Sequence, residues 1–386
     1  MVRYRIINRR NFLFYLGSLT STFLYNCTNK FDNPVYAQFN PKRNFSVINN
    51  AALRKISNVK GLVYGAHPGA ELTKDQQLQL STSKECGILV AGFYAVETRP
   101  TSSTFNFAET DFFAKFASQN SMLLRGHPLV WYQANPKWLT DKFNNPKTTS
   151  KEIQNILSNH VSTIVKRYAG KIHSWDVLNE AIEPNDGRQD GLRVTPWLKF
   201  LGPDYIDLAF RLAAKNDPKA LLVYNDYGIE HDTPEDEAKR AAVLKLLKHL
   251  KSKGTPIHAL GIQSHLAPDK KFNFTKLRKF LKDVANLGLK IMVTELDVVD
   301  KDLPANIDER DRIIASVYED YLSTVLQEPA VIAVITWGLT DKYTWLSWES
   351  PRADGKPVRP LPLDSNFQRK FAWNAISRVF DKALKR

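Results

Sequence analysis

An α/β fold, with parallel strands wrapped by helices, is what this sequence predicts, and two observations carry that reading. From Gly61 onward, short β-branched apolar runs alternate with amphipathic helical stretches, the pattern of a parallel sheet buried on both faces. Eight such runs can be counted, enough to close a (β/α)8 TIM barrel, and a closed barrel gathers the ends of all its strands on one face. A chain of 386 residues accommodates one such domain behind a leader.

The runs lie at 62–64, 88–93, 122–126, 172–177, 221–224, 259–262, 291–293 and 331–335. Between them the apolar positions recur with helical period: Ile153, Ile156, Leu157, Val161, Ile164 and Val165 form one stripe, and Ile313, Ile314, Val317, Tyr318, Tyr321, Leu322 and Val325 another. Glycine and proline mark joints, as at Gly254 and Pro256 before the sixth run. The polar groups just past the strand ends form the candidate site: His127 after the third, Asn179 and Glu180 after the fourth, and Asn225 and Asp226 after the fifth. Gln263 and His265 follow the sixth, Glu295 and Asp297 the seventh, and Trp337 the eighth.

Two of these runs deliver a glutamate, Glu180 behind Trp175 and Asp176, and Glu295 behind Thr294. A buried strand that ends on an ionisable group places it at the rim of the sheet, and a pair of carboxylates so placed is what cuts glycosidic bonds.

Composition removes other classes. Hydrophobic residues at 43% and aromatic residues at 11% are globular values, and no internal stretch has the ~18 uninterrupted apolar residues of a membrane span. The net charge of +14 has no basic stripe with interleaved aromatics, so it reads as a basic solvated surface with no nucleic-acid partner. With two cysteines, Cys27 and Cys86, no disulfide framework is expected, and no Cys or His spacing implies a metal or other cofactor.

Residues 1–37 read as an export signal: Arg3, Arg5, Arg9 and Arg10 precede an uncharged apolar run from Phe12 to Tyr25. Arg9-Arg10-Asn11-Phe12-Leu13 is similar to a twin-arginine signal, implying export of a folded protein to the periplasm or beyond. Cleavage is expected after Ala37, with Cys27 the alternative as a lipid anchor and the only membrane contact considered. Residues 38–55 read as a flexible lead-in and 56–386 as the barrel, expected to act as a monomer.

Trp175-Asp-Val-Leu-Asn179-Glu180 and Thr294-Glu295-Leu-Asp297 resemble the acid/base and nucleophile signatures of glycoside hydrolase family 10, the barrel endo-1,4-β-xylanases. Arg125-Gly-His127-Pro-Leu-Val-Trp131, Tyr224-Asn-Asp-Tyr227, Gly261-Ile-Gln263-Ser-His265 and Thr336-Trp337-Gly338 with Asp341 and Trp345 are similar to further family segments in the same order, over roughly 61–379. The resemblance implies a retaining endoxylanase in which Glu180 is the acid/base and Glu295 the nucleophile. His265 and Asp297 would support the nucleophile; Asn179, with Gln263 and His127, would hold the sugar. Asn225, Trp131, Trp337 and Trp345 would line the site.

One segment departs from the pattern. The family's Glu-Asn-x-x-Lys-Trp falls on Val90-Ala91-Gly92-Phe93-Tyr94-Ala95, so the groups that grip the second sugar on the non-reducing side are missing, and Tyr132 stands where a histidine is usual. Tyr94, Glu97 and Arg99 are the candidates to replace the grip. Two alternatives follow: a retaining glycanase for a different or substituted β-glycan, or a carbohydrate-binding barrel without turnover.

Overall fold

The computed structural model describes residues 38–47 and 50–386. Its strands are β1 Val63–Ala66, β2 Ile88–Gly92, β3 Leu123–His127, β4 Ser174–Asn179, β5 Leu221–Asp226, β6 Ala259–Ile262, β7 His265–Leu266, β8 Lys290–Val298 and β9 Val331–Thr336. All but β7 form a closed parallel barrel, in the order β6-β5-β4-β3-β2-β1-β9-β8, with β8 pairing back onto β6. The (β/α)8 prediction is therefore met. The two-residue β7 pairs with the outer end of β8, setting His265 opposite Asp297.

Each predicted strand is present, and six run on past their predicted ends: β4 reaches Asn179, β5 Asp226 and β8 Val298. Side chains turn polar where they meet the barrel mouth. The backbone pairing continues there because buried amides still need partners.

Ile88 and Val90 of β2, Val223, Ala259, Met292, Ala333 and Ile335 form an apolar layer inside the barrel. Arg125 of β3 enters the same interior, 1% exposed. Its guanidinium donates to Ser174 Oγ and Met292 Sδ, each at 3.2 Å, and forms an ion pair with Asp176. On the outer side Trp175 is fully buried against Phe93, and a Cβ on Gly126 would stand 2.2 Å from its ring, so only glycine fits there.

Both strands that carry the glutamates are irregular. β4 slips register against β5 between Asp176 and Leu178, and β8 against β9 between Val293 and Leu296. Each slip re-aims the side chains beyond it.

Helices Ser150–Arg167 and Ile307–Val325 bury the predicted stripes, save Ile156, which is partly exposed. The first opens on a capping box, Thr149 and Glu152 each accepting from the other's backbone N–H. Residues 38–47, read as part of a flexible lead-in, are docked instead. Phe39 and Phe45 are buried, and Arg43 forks onto Asp320 at 2.7 and 3.1 Å. Two aromatic anchors outweigh the polar composition of that stretch. The leader at 1–37, with Cys27, lies outside the described residues.

Candidate active site

Glu180 stands one residue beyond β4 with φ +57°, a left-handed conformation that non-glycine residues seldom adopt. Two bonds enforce it: its N–H donates to Asn225 O at 2.9 Å, and its carbonyl accepts from Arg193 Nε at 2.8 Å. The carboxyl Oε1 accepts from Gln263 Nε2 at 3.0 Å and Asn179 Nδ2 at 3.2 Å.

Glu295 lies within β8, its Oε1 accepting from Asn225 Nδ2 at 2.7 Å and its Oε2 facing His265 Nε2 at 3.3 Å. Asp297 Oδ1 holds His265 Nδ1 at 2.9 Å and its Oδ2 accepts from Trp345 Nε1 at 2.7 Å. Asn225 joins the two halves: the same amide donates to Asn179 Oδ1 at 2.9 Å, and its oxygen accepts from Thr294 Oγ1 at 2.7 Å. His127 Nδ1 lies 2.8 Å from Asp176 Oδ2 and 3.9 Å from Glu295 Oε1.

This network separates the two carboxyls electrostatically. Burial pushes Glu180 above the usual carboxylate range and Asp226 and Glu295 add to it, against the pull of Gln263 and the Trp131 indole. Burial would raise Glu295 too, but His127, His265 and Asn225 together hold it below that range. His265, opposed by its own burial, is raised well above an ordinary imidazole by Asp297 and Glu295. One carboxyl is thus biased to keep its proton and the other to lose it.

Aromatic rings wall the mouth. Trp337 stacks on His67 with centroids 4.2 Å apart and meets His127 edge-on; Trp345 lies over His265 at 5.0 Å; Tyr94 stands between His127 and Trp131, at 5.7 and 6.0 Å. The structure thus brings the predicted residues to one mouth. Trp175, which borders Glu180 in sequence, faces the helices instead.

The departing segment is equally concrete. Val90 points into the apolar layer and Ala91 packs outward in the main core, so β2 brings no polar side chain to the mouth. Of the replacements considered, Arg99 lies between Phe105 and Trp138, 5.0 Å from each ring, and donates to the backbone at Ile156 and Ser102. Glu97 is exposed on the short helix Ala95–Thr98. Tyr94 alone lies over the mouth, its ring so close to Gly92 that a Cβ there would stand 2.9 Å from Tyr94 Cε2. Tyr132 lies under the Arg193 guanidinium at 4.5 Å, which puts it behind the backbone of Glu180.

Three contributors escaped the sequence reading. His67 follows β1 directly, and the rule that collected the other strand-end residues would have found it. Arg193 sits in an irregular loop that gives no periodic signal. Arg125 and Asp176 both stand in the quoted motifs, but their pairing between β3 and β4 inside the barrel leaves no local signal.

Among the described residues, Glu230, His231 and Asp236 cluster closely enough to suggest a metal. Their atoms are already engaged: Glu230 accepts from the N–H of Ile229 and Ser264, Asp236 from that of His231, and His231 Nε2 from that of Ala267. The set reads as a clamp on backbone amides.

The sequence matches the family described as Glycosyl hydrolase family 10 over residues 52–379. Endo-1,4-beta-xylanase B of Thermotoga neapolitana is 34% identical over 288 residues, 74% of this chain and 78% of the relative. Endo-1,4-beta-xylanase A of Caldicellulosiruptor sp. (strain Rt8B.4) is 36% identical over 294 residues, 72% of this chain but only 40% of that longer protein. Native xylanase 10B of Thermotoga maritima superposes with a TM-score of 0.76 at 30% identity, covering 86% of this chain and 98% of that one. Xylanase 10B of Thermotoga petrophila RKU-1, solved with xylobiose, gives 0.75 at 30% identity, covering 87% and 99%. By sequence over most of its length and by the barrel it forms, this chain belongs to glycosyl hydrolase family 10 and is a glycoside hydrolase.

Proposed function

We propose that the protein is a retaining endo-1,4-β-xylanase, cutting internal β-1,4-xylosidic bonds of xylan by double displacement without a cofactor. The observation that carries this reading is the single hydrogen-bonded network, from Gln263 and Asn179 through Asn225 to His265, that holds Glu180 and Glu295 with opposite proton affinities. The relatives named as xylanases, and the neighbour solved with xylobiose, support the substrate.

In the first step the Glu295 carboxylate attacks the anomeric carbon as the glycosidic C–O bond breaks, and the leaving oxygen takes the proton of Glu180. In the second, Glu180, now ionised, takes a proton from water whose oxygen attacks the same carbon and releases Glu295. Asn179 is offered to the 2-hydroxyl of the sugar at the cleavage point, Gln263 and His127 to its neighbouring hydroxyls, and Trp337 and Trp345 to its faces. The apolar β2 corner favours a second reading, a different or substituted β-glycan.

The test incubates the purified protein with linear xylan, arabinoxylan and mixed-linkage glucan, with Glu180→Ala and Glu295→Ala as controls. Short xylo-oligosaccharides released first as the β-anomer, and absent from both controls, are expected. Initial release of the α-anomer would overturn retention, and cleavage confined to another glycan would move the substrate to the second reading. No release from any glycan would leave a binding barrel.

Arg9 and Arg10 with the apolar run behind them support export by the twin-arginine route, and the exported protein is proposed to act as a monomer. N-terminal sequencing of the exported protein is expected to begin at Gln38, and a lipid-modified Cys27 would overturn that site.

A further inference from the structure

Trp348 is the only aromatic among the large, well-exposed hydrophobic residues of the described chain, at 56% exposed; the others are aliphatic. A single exposed hydrophobic residue needs no explanation by itself. Its connections set this one apart. Trp348 lies on the short helix Leu346–Glu349, edge-on to Trp345 with centroids 6.0 Å apart and planes at 71°. Trp345 in turn donates to Asp297, which holds the His265 that faces Glu295. An unbroken line of contacts therefore runs from the reacting carboxylate to this ring.

The backbone that carries the ring is also tied down. Arg352, buried, donates to the backbone carbonyls of Asp300 and Leu303 and forks onto Asp354 at 3.0 and 2.8 Å, tying the segment to the loop beyond β8. Thr344 Oγ1 accepts from Leu346 N at 3.2 Å at the start of the helix, and the Trp348 N–H donates to Trp345 O at 3.2 Å. The short helix presents the indole to water, more than half exposed, where a large apolar face gains free energy only when something covers it.

We propose that Trp348 is a sugar platform outside the cleavage position, on which a pyranose unit further along the same polysaccharide chain lays its C–H face. This rests on the xylanase reading above. A β-1,4-linked chain emerging over Trp345 presents successive rings, and a pre-positioned indole holds one without ordering a loop. The occupant is thus a neutral β-linked pyranose, recognised by its apolar face.

The test compares the full protein with Trp348→Ala and Trp348→Phe on long linear xylan and on an aryl β-xylobioside that fills only the sites next to the cleaved bond. Thermal melting checks the fold. For Trp348→Ala the loss of kcat/KM on the polymer should exceed that on the short substrate by about three- to tenfold, carried by KM, with Trp348→Phe between. Equal loss on both substrates, or none on either, would overturn the platform. Binding is read separately, as retardation of Glu295→Ala protein in a gel containing soluble xylan. Adding Trp348→Ala should weaken that retardation, and unaltered retardation would refute the proposal. A wild-type dimer that becomes monomeric with Trp348→Ala would refute it too, assigning the ring to a second copy. Failure of the wild type to cleave either substrate would instead sink the xylanase reading.

Discussion

Asp297 is shared between two donors, the Trp345 indole N–H at 2.7 Å on one oxygen and His265 Nδ1 at 2.9 Å on the other. A buried carboxylate in this position favours the protonated imidazole, and His265 Nε2 then faces Glu295 at 3.3 Å as a positive neighbour. Asp297→Asn removes the charge that keeps His265 protonated. Glu295 then loses its counter-charge and takes up a proton at higher pH. The acid limb of kcat/KM is expected to move upward, with kcat falling by about a hundredfold as the imidazole loses its orientation. A pH–rate profile with an unmoved acid limb would show that Asp297 is only a structural support.

The unmodified protein should give a bell-shaped profile. In the proposed mechanism Glu295, held low, works ionised, so activity should fall as acid protonates it; Glu180, held high, works protonated, so activity should fall again as base removes it. Glu180→Gln should abolish the basic limb on an aryl glycoside whose leaving group needs little protonation. Survival of that limb would assign it to another group.

Gly261 pairs with Asn225 on the neighbouring strand, and a Cβ there would stand 2.3 Å from Asn225 Oδ1 and 3.0 Å from Thr294 Cγ2. Gly261→Ala must displace the amide that links Glu295 to Asn179. The expected outcome is a stability loss of about 1–3 kcal/mol by urea unfolding. Activity should drop toward that of Asn225→Ala, which removes the same amide. Activity equal to that of the unmodified protein would mean the amide shifts without consequence.

Tyr94 covers the corner that β2 leaves apolar, and its hydroxyl makes no hydrogen bond within the described residues. If it contacts the glycone, Tyr94→Phe should raise KM for xylotetraose by about fivefold, the worth of roughly one hydrogen bond. Tyr94→Ala, which also removes the ring beside His127 and Trp131, should additionally change the product distribution. Steady-state kinetics with product chromatography checks both.

Arg125→Met should destabilise the fold by about 3–5 kcal/mol, because it strands the fully buried Asp176 beside His127. Arg125→Lys should recover little, since an ammonium cannot reach Ser174, Asp176 and Met292 with one planar fork. Denaturant midpoints decide the matter.

The barrel and its two glutamates were legible in the chain because each signal is local: an apolar run makes a strand, and the polar residue that ends it lies at the mouth. Which way the side chains beyond those runs point was not local. Asp176 and Asn179 are three residues apart and would face opposite sides of a regular strand, yet Asp176 bonds Arg125 and Asn179 bonds Asn225, both inside the barrel. Thr294 and Glu295 are adjacent and likewise both reach Asn225. The register slips in β4 and β8 allow this. A slip is set by the hydrogen-bond ladders of the neighbouring strands, not by the composition of the strand itself. The same distinction separates the docking of Phe39 and Phe45, the outward turn of Trp175 and the service of Arg193 to Glu180 from anything the residues announce singly. The sequence by itself determined the fold class and which strand ends carry the two glutamates and most of their polar neighbours; tertiary packing decided their aim, their proton affinities, the addition of His67 and Arg193, and the apolar corner that Tyr94 covers.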